Sequence, residues 1–406
     1  MQMGGVKVIS KSLKGLVVLD FGQLIAAPVC GMWLADLGAT VIKIEPPHGE
    51  LARHMGPPSH NGESFVLLAS NRNKLGMILD LKHDGAGEVV NRMVRRADIL
   101  LQNFRPGVAE RLGLGWEKLK TVNPDLIYCA ISAYGQDNPW RERPGVDGIV
   151  QAASGIMSVI EGRDGPGKVP LPLADMTGAM FATMSIMSAL RVRDGGHGGS
   201  FLDIDLFGGM IMLQQLSLSA YLTSGELPEP SGSAASYAAP NEVFPTMDGW
   251  VMVAAYQPSR WKALCVVLGC TQLLDDARFS TNADRVANRD ELHQALDPVF
   301  RTRTAEFWTE ILLAHDVMAS AVASYADVVA SAPYKPEKNE VRYHHPTAGW
   351  VKTPGFVFGD GDPEGQGPAP CLGQHSREAL GLLGFDTVEI ENLMRAGIII
   401  GGGHDG

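Results

Sequence analysis

The first two hundred residues alternate between two hydrophobic periods. Residues 16–21 (LVVLDF) form a continuous apolar run typical of a buried strand, residues 26–39 place apolar side chains on one side of a helix, and residues 40–45 (TVIKIE) are strand-like again. This order predicts a βαβ unit. Two more strands are predicted at 98–103 and 125–134. Strands that alternate with helices indicate a parallel, doubly wound sheet, so the predicted fold class is α/β and Rossmann-like.

Helices and one further strand extend this pattern along the chain. Asp84 is a candidate N-cap for the helix that follows it, and residues 116–122 (WEKLKTV) predict a short helix. A helix of small and apolar residues begins near Asp175, and residues 201–206 then predict one more strand before a second apolar helix. We therefore expect a large domain over residues 1–224.

The composition changes after that domain. Residues 225–240 are rich in Pro, Gly, Ser and Ala and predict a linker. Residues 241–325 predict a smaller α+β domain that opens with a β-hairpin turning at Asp248–Gly249. Residues 326–406 predict a second linker and a C-terminal segment with a final helix. The helices expected in these two regions are 258–271, 288–300, 304–314 and 376–383.

Composition and charge narrow the range of functions. The chain of 406 residues is 45% hydrophobic and 19% charged, as folded proteins are, and its formal net charge of -11 would repel a phosphate backbone, so no nucleic-acid partner is expected. Five scattered cysteines without C-x-x-C spacing predict neither disulfides nor a metal site and favour a reducing, cytoplasmic location. No N-terminal apolar segment and no uninterrupted apolar run of ~18 residues occurs, so no membrane partner is expected.

Several common motifs are absent or incomplete. The segment GRDGPGKV (162–169) resembles a P-loop, but Val169 stands where Ser or Thr would bind magnesium, and Pro170 and Pro172 prevent the helix that would hold phosphate. The first turn, residues 20–31, lacks the G-x-G-x-x-G fingerprint of dinucleotide binding. H-E-x-x-H and G-x-S-x-G motifs are also missing. These patterns argue against P-loop, NAD-dependent, zinc-hydrolase and serine-hydrolase chemistry.

Asp175 stands alone at the start of a buried helix, in PLPLADMTGAMFATMSIMSAL (170–190). Aspartate is among the best N-caps, so this carboxylate can have a purely structural role. A helix N-terminus also places N–H groups and a positive dipole near the carboxylate, which suits a reacting group. The residues alone leave both interpretations open.

Four segments together carry a family resemblance. In chain order they are FGQLIAAPVCGMWLADLGATVIKIEPPHGE, LQNFRPGVAERLGLGWEKLKTVNPDLIYCAISAYGQ, PLADMTGAMFATMSIMSAL and LGQHSREALGLLGF. With this order and spacing, the chain resembles the class III coenzyme A transferases, which include formyl-CoA and carnitine-CoA transferases. The same superfamily contains the α-methylacyl-CoA racemases.

The resemblance implies an acyl-CoA:carboxylate CoA-transferase in which Asp175 matches the family nucleophile. Such a carboxylate forms a mixed anhydride and then an enzyme-CoA thioester, and the acyl bond stays activated throughout. CoA and acyl-CoA are then substrates, and no tightly bound cofactor is implied. The alternatives are a 2-methylacyl-CoA racemase and a non-catalytic acyl-CoA binding protein. The racemases resembled here carry a histidine where this chain has Val146, and valine cannot move a proton.

Further positions match the family's CoA cleft. Arg111 matches a basic residue near the CoA phosphates, whereas Lys43 and Lys74 could equally be ordinary surface charges. Ile25 replaces a glutamine of formyl-CoA transferases, and the linker at 225–240 lacks their glycine-rich loop, which argues against oxalate and formate as the substrates. The matched positions are Leu24, Ile25, Ala26, Asn73, Lys74, Asn103, Phe104, Arg105 and Arg111. Tyr134 is expected beside the acyl group, because it lies at the carboxyl end of a predicted strand. The resemblance also implies an interlocked homodimer, in which the C-terminal segment 326–406 returns to the large domain.

Overall fold

The structure is a computed structural model that describes residues 11–160, 162, 165–355 and 367–402. The P-loop-like segment and the second predicted linker therefore lie partly outside the described residues. The chain divides into two compact units. The first contains Met1–Ile156, Val169–Gln215 and Lys335–Gly406, and the second contains Met157–Lys168 and Leu216–Tyr334.

The first unit is built on a seven-stranded sheet with the order β14-β5-β2-β1-β6-β7-β8. Neighbouring strands are parallel except for β14, which pairs antiparallel with β5. The predicted α/β class with a mostly parallel sheet is therefore confirmed. The strands of the chain are β1 (Val17–Asp20), β2 (Thr40–Glu45), β3 (Ser59–His60), β4 (Glu63–Ser64), β5 (Lys74–Leu79), β6 (Ile99–Gln102), β7 (Ile127–Ser132), β8 (Ser200–Asp205), β9 (Asn241–Pro245), β10 (Trp250–Ala254), β11 (Met318–Ala321), β12 (Glu340–His345), β13 (Gly349–Pro354) and β14 (Ile399–Ile400).

Helices cover both faces of this sheet. One hydrophobic core packs α1, α6, α7 and α8 against one face, and a second packs α3, α5, α16 and α17 against the other. The central strands are buried on both faces, which explains their continuous apolar sequences. The helices are α1 (Ala26–Asp36), α2 (Phe65–Ser70), α3 (Ala86–Val94), α4 (Val108–Arg111), α5 (Trp116–Val122), α6 (Asp147–Ala153), α7 (Leu173–Val192), α8 (Leu206–Leu213), α9 (Gln215–Ser224), α10 (Pro258–Val267), α11 (Asn282–Ala287), α12 (Arg289–Phe300), α13 (Ala305–Ala314), α14 (Tyr325–Ala330), α15 (Pro336–Asn339), α16 (Ser376–Leu382) and α17 (Thr387–Arg395).

The structure differs from the sequence analysis at two local features, the N-cap of α3 and strand β5. Asp84 does not cap α3, because Gly85 occupies the N-cap position and no side chain accepts a capping hydrogen bond there. Strand β5 was not predicted, although it lies inside the sheet between β2 and β14. Its sequence KLGMIL contains Gly76, a residue that lowers strand propensity, and its first residue is charged.

Helix α7 is the long apolar helix of the first unit. By length and composition alone, α7 with its π-helical continuation to His197 would be able to cross a membrane. Its small residues pack against α1, α8 and the sheet, as those of a core helix do. At Gly178 a Cβ would lie 2.3 Å from Leu206 Cδ2, so only glycine allows α7 to approach the start of α8 this closely.

The second unit is a smaller α+β structure. A three-stranded antiparallel sheet with the order β11-β10-β9 packs against α10, α12 and α13. The predicted hairpin is confirmed, since β9 pairs with β10 and Thr246 N donates to Gly249 O at 2.9 Å. Phe244 and Phe300 stack in its core.

Candidate active site

A cavity of about 390 Å³ opens at the carboxyl ends of β1, β2, β5 and β6. Open α/β sheets bind ligands at this edge, where the loops that follow parallel strands meet. The apolar part of its wall includes Phe21, Ile44, Leu79, Leu81, Phe104 and Leu112. The polar part includes Gln23, His48, Glu50, Asp80 and Lys82. An apolar cavity with a few polar groups is the usual form of a small-molecule site.

Two loops that carry predicted residues are joined at this edge. The Asn103 side chain accepts a hydrogen bond from Gln23 N at 2.8 Å and donates one to Gln23 O at 2.8 Å. Asn103 therefore holds the loop after β1, and Phe104, which follows it, lines the cavity. The structure brings Leu24 and Phe104 to the same edge of the sheet.

Backbone strain marks two of the predicted residues. Leu24 has φ +63° and Asn73 has φ +65°, both in the left-handed region. This conformation costs a non-glycine residue about 1–2 kcal/mol, although asparagine tolerates it better than leucine. Such strain persists only where the surrounding contacts fix it, and it is common at functional sites.

Arg105 and Arg111 are exposed beside this edge. Arg111 belongs to α4, which follows the loop after β6. Among the described residues neither guanidinium has a hydrogen bond or ion-pair partner, so both can bind an anionic group. A guanidinium matches the geometry of a phosphate well.

Lys74 is not a surface charge. It begins β5 at its amino end, and its fully buried ammonium donates to Asp20 Oδ2 at 2.7 Å, Pro28 O at 2.7 Å and Asn71 Oδ1 at 2.8 Å. Burial lowers the pKa of Lys74 to about 8, although Asp20 opposes the shift. Because all three hydrogens have protein partners, the structure offers no further donor at Lys74, and its contact with CoA stays a prediction.

Asn73 lies at the same amino end, away from the cavity edge. Its side-chain Nδ2 donates to Asp36 Oδ1 at 2.8 Å, near the end of α1. Asp36 also forms a buried ion pair with Arg72, whose Nη2 lies 2.6 Å from its Oδ2. The structure therefore does not place Asn73 among the loops that form the cavity.

Asp175 is the third residue of α7 and is half-buried. The N-cap position belongs to Pro172, so the interpretation of Asp175 as the N-cap is wrong. The capping hydrogen bond comes from another helix, since Ala174 N donates to Asp147 Oδ1 at 2.8 Å. The carboxylate of Asp175 therefore lies in the first turn of a helix that a second carboxylate already caps.

Gln151 fixes the segment that leads to Asp175. This fully buried side chain accepts from Val169 N at 3.1 Å and donates to Leu171 O at 3.2 Å and Asp147 Oδ2 at 2.9 Å. Sequence reasoning missed both Asp147 and Gln151. Their spacing of four residues on one helix face was the available signal, because i,i+4 side chains are neighbours.

The remaining predicted residues pack around the starts of these elements. Ile25 occupies the N-cap position of α1 and Ala26 is its first residue. Ile25 packs against the same hydrophobic core as the start of α7. Tyr134 follows β7 and is buried against Trp140 and Phe207, with ring centroids 5.5 Å and 6.1 Å away.

Two further features bear on alternative chemistries, namely metal ligands and the residue at position 146. In the described part of the chain no group of three or more His, Cys, Asp and Glu side chains could hold a metal ion. Val146 occupies the N-cap position of α6, directly before Asp147, and is exposed.

Comparisons with known proteins agree with this arrangement. The sequence model described as CoA-transferase family III matches residues 13–376. The chain is 31% identical to the succinyl-CoA:glutarate CoA-transferase of Mus musculus over 399 residues, which cover 96% of this chain and 90% of that protein. It is 35% identical to the acetyl-CoA:oxalate CoA-transferase of Acetobacter aceti, with 88% and 92% covered. A crystal structure of a CAIB/BAIF family protein from Brucella suis superposes with a TM-score of 0.81 at 31% identity, covering 91% of this chain and 99% of that chain.

Proposed function

The chain belongs to CoA-transferase family III, and from this premise we propose that it is an acyl-CoA:carboxylate CoA-transferase with Asp175 as its covalent nucleophile. One observation carries the assignment of Asp175. Its carboxylate lies in the first turn of α7, while Asp147 supplies the capping acceptor that the helix needs. The positive end of the helix dipole favours an ionised carboxylate there and stabilises oxyanions that form beside it.

The proposed reaction conserves one activated acyl bond at each step. An Asp175 oxygen attacks the thioester carbonyl and the C–S bond breaks. This step releases CoA thiolate and forms a mixed anhydride between the acyl group and Asp175. The thiolate then attacks the aspartyl carbonyl, the anhydride C–O bond breaks, and the donor acid departs as a carboxylate. The acceptor carboxylate attacks the resulting enzyme-CoA thioester, and the same two steps in reverse order release the new acyl-CoA and ionised Asp175. No net proton or electron is transferred.

We propose that the cavity at the sheet edge receives the nucleotide end of CoA. Its apolar wall, including Phe104, suits a planar base, and the exposed guanidinium groups of Arg105 and Arg111 suit phosphates. Leu24, Ile25 and Ala26 connect this edge to the start of α1, whose side chains share a core with the start of α7. Tyr134 is proposed to border the acyl group.

A homodimer is proposed from an exposed apolar face of α7. Met180, Met184 and Met187 are 45%, 63% and 38% exposed, and their spacing places them on one side of the helix. Exposed apolar stripes of this kind mark protein–protein interfaces. A second copy of this chain is the proposed occupant.

The proposed acids are short dicarboxylates. The mouse relative is named for succinyl-CoA and glutarate and the Acetobacter relative for acetyl-CoA and oxalate, so both pairs belong in a substrate panel. The missing glycine-rich loop at 225–240 favours the first pair over oxalate.

The test combines transfer and exchange assays. Purified protein is incubated with succinyl-CoA or acetyl-CoA and a panel of carboxylates, and new acyl-CoA species are measured by mass spectrometry. We expect transfer that falls at least ~10³-fold in Asp175→Asn, with CoA affinity retained. Deuterium incorporation at the α-carbon of a 2-methylacyl-CoA without transfer would support the racemase instead. Binding of CoA with neither reaction would support the binding protein.

A further inference from the structure

We propose that the buried ion pair Lys43–Glu50 holds the loop Gly22–Leu24 in the conformation that accepts CoA, so that Glu50 is a positioning residue of the site. The inference rests on the proposed function, because it assumes that this edge of the sheet binds CoA.

Buried and half-buried side chains hold nearly the whole backbone of this loop. Gly22 N donates to Asp20 Oδ1 at 2.7 Å, and Gly22 O accepts from Lys43 Nζ at 2.9 Å. Leu24 N donates to Glu50 Oε2 at 2.7 Å. Since Asn103 binds both backbone groups of Gln23, three successive N–H groups and two carbonyls are fixed by side chains. The loop is therefore preorganised before any ligand arrives.

Lys43 and Glu50 join the two ends of the loop. Lys43 Nζ lies 2.6 Å from Glu50 Oε1, and the two side chains are 0% and 1% exposed. Burial alone would lower the pKa of Lys43, but the carboxylates of Glu50 and Asp20 prevail and raise it, so Lys43 stays charged. Glu50 is itself fixed, because its N donates to Glu45 Oε2 at 3.0 Å.

The location of the pair argues for a role beyond stability. Desolvation largely cancels the attraction of a buried ion pair, so such pairs contribute little stability relative to apolar residues of the same size, and their best attested use is to specify a conformation. Here the specified conformation is the left-handed Leu24. Gly22, Gln23 and Glu50 all line the cavity, so a change in this loop changes the cavity wall.

The test replaces the pair with apolar residues in the full chain. In Lys43→Met/Glu50→Leu we expect the affinity for CoA, measured by calorimetry, to fall at least tenfold. The melting temperature should fall less than in Glu50→Leu, which leaves Lys43 as an unpaired buried charge. In the transfer assay the KM for acyl-CoA should rise while the KM for the acid is unchanged.

A matched control is the ion pair Asp98–Arg193, which lies at the amino ends of β1 and β6, away from the cavity. Asp98 Oδ1 pairs with Arg193 Nη1 at 2.9 Å, and Asp98 Oδ2 accepts from Val17 N at 2.8 Å. Arg193→Met/Asp98→Leu therefore removes an ion pair and a backbone contact without touching the loop. Its affinity for CoA should equal that of the wild type.

The outcomes separate the two proposals. A wild-type protein that does not bind CoA would overturn the proposed function together with this inference. If the wild type binds CoA and the folded double variant binds it equally well, the positioning role is wrong and the proposed function stands. Should the double variant fail to fold, Lys43→Met/Glu50→Gln, which leaves no unpaired charge and keeps an acceptor for Leu24 N, is compared with the wild type. Equal CoA affinities of these two would also overturn the inference.

Discussion

Individual charged residues around the cavity have roles that the sequence does not reveal. Lysines usually lie on the protein surface, yet Lys43 and Lys74 are both buried. Lys74 binds Asp20, which is 54 residues away in the chain, and Lys43 binds Gly22 O, which is 21 residues away, as well as the nearer Glu50. Whether a charge is buried depends on such contacts, so the local pattern could place Lys43 on a strand but could not assign the ion pair of either lysine.

At Gly31, helix α1 packs tightly against the ion pair Asp20–Lys74. A Cβ at this position would lie 2.8 Å from Asp20 Oδ2 and 3.3 Å from Lys74 Nζ. We expect Gly31→Ala to lower the free energy of unfolding by about 1–3 kcal/mol, because overpacking exceeds the gain of up to ~1 kcal/mol in helix propensity. Urea unfolding measures the change. Gly381→Ala, at an exposed helix position with no atom within 4 Å, is the control and should not destabilise; equal losses would contradict the account.

At the scale of elements, the sequence predicted five of the seven strands of the large sheet and missed β5 and β14. Strand β2 and helix α5 have the predicted bounds, 40–45 and 116–122. Periodicity succeeds there because these elements carry unbroken apolar patterns. It could not identify the cap of α7, because the capping carboxylate of Asp147 belongs to α6, which precedes α7 by about 20 residues in the chain.

The cap of α7 gives a prediction for catalysis. Asp147→Ala removes the acceptor for Ala174 N, which should cost about 0.5–2 kcal/mol of stability and displace the first turn that carries Asp175. We expect kcat for transfer to fall several-fold with unchanged CoA affinity, and Asp147→Asn, which keeps an acceptor oxygen, to restore part of it.

The control for this prediction is another aspartate cap of the first unit. Asp386 caps α17 by accepting from Glu389 N at 2.8 Å. Asp386→Ala should lose similar stability but keep kcat. If both alanine variants lowered kcat alike, stability and not the position of Asp175 would explain the effect.

At the scale of the whole molecule, the chain returns to its first unit near the C-terminus. Strand β14 pairs with β5, more than 300 residues earlier, with Ile399 opposite Leu79. The sequence alone contains no local signal for such a pairing, and the expected return came from the family resemblance. The pattern of strands and helices was enough to predict a Rossmann-like α/β fold. It could not predict the cavity, because the cavity is formed by the loops that follow four different strands.

Subunit association gives a prediction at this scale. Light scattering should measure twice the chain mass of 43.5 kDa for the wild type. Met184→Glu places a charge at the centre of the exposed methionine face of α7 and should reduce the dimer fraction or its stability. Val388→Glu, at an equally exposed apolar position on α17, is the control. A monomeric wild type with full transfer activity would contradict the proposed dimer.

The central claim is that Asp175 forms covalent intermediates during CoA transfer. The most direct test is the intact mass of the protein after brief incubation with succinyl-CoA, with and without hydroxylamine, followed by peptide mapping. We predict a CoA-sized adduct, or a hydroxamate after trapping, on the peptide that contains Asp175. Transfer activity with an adduct on another residue, or undiminished transfer by Asp175→Asn, would contradict the claim.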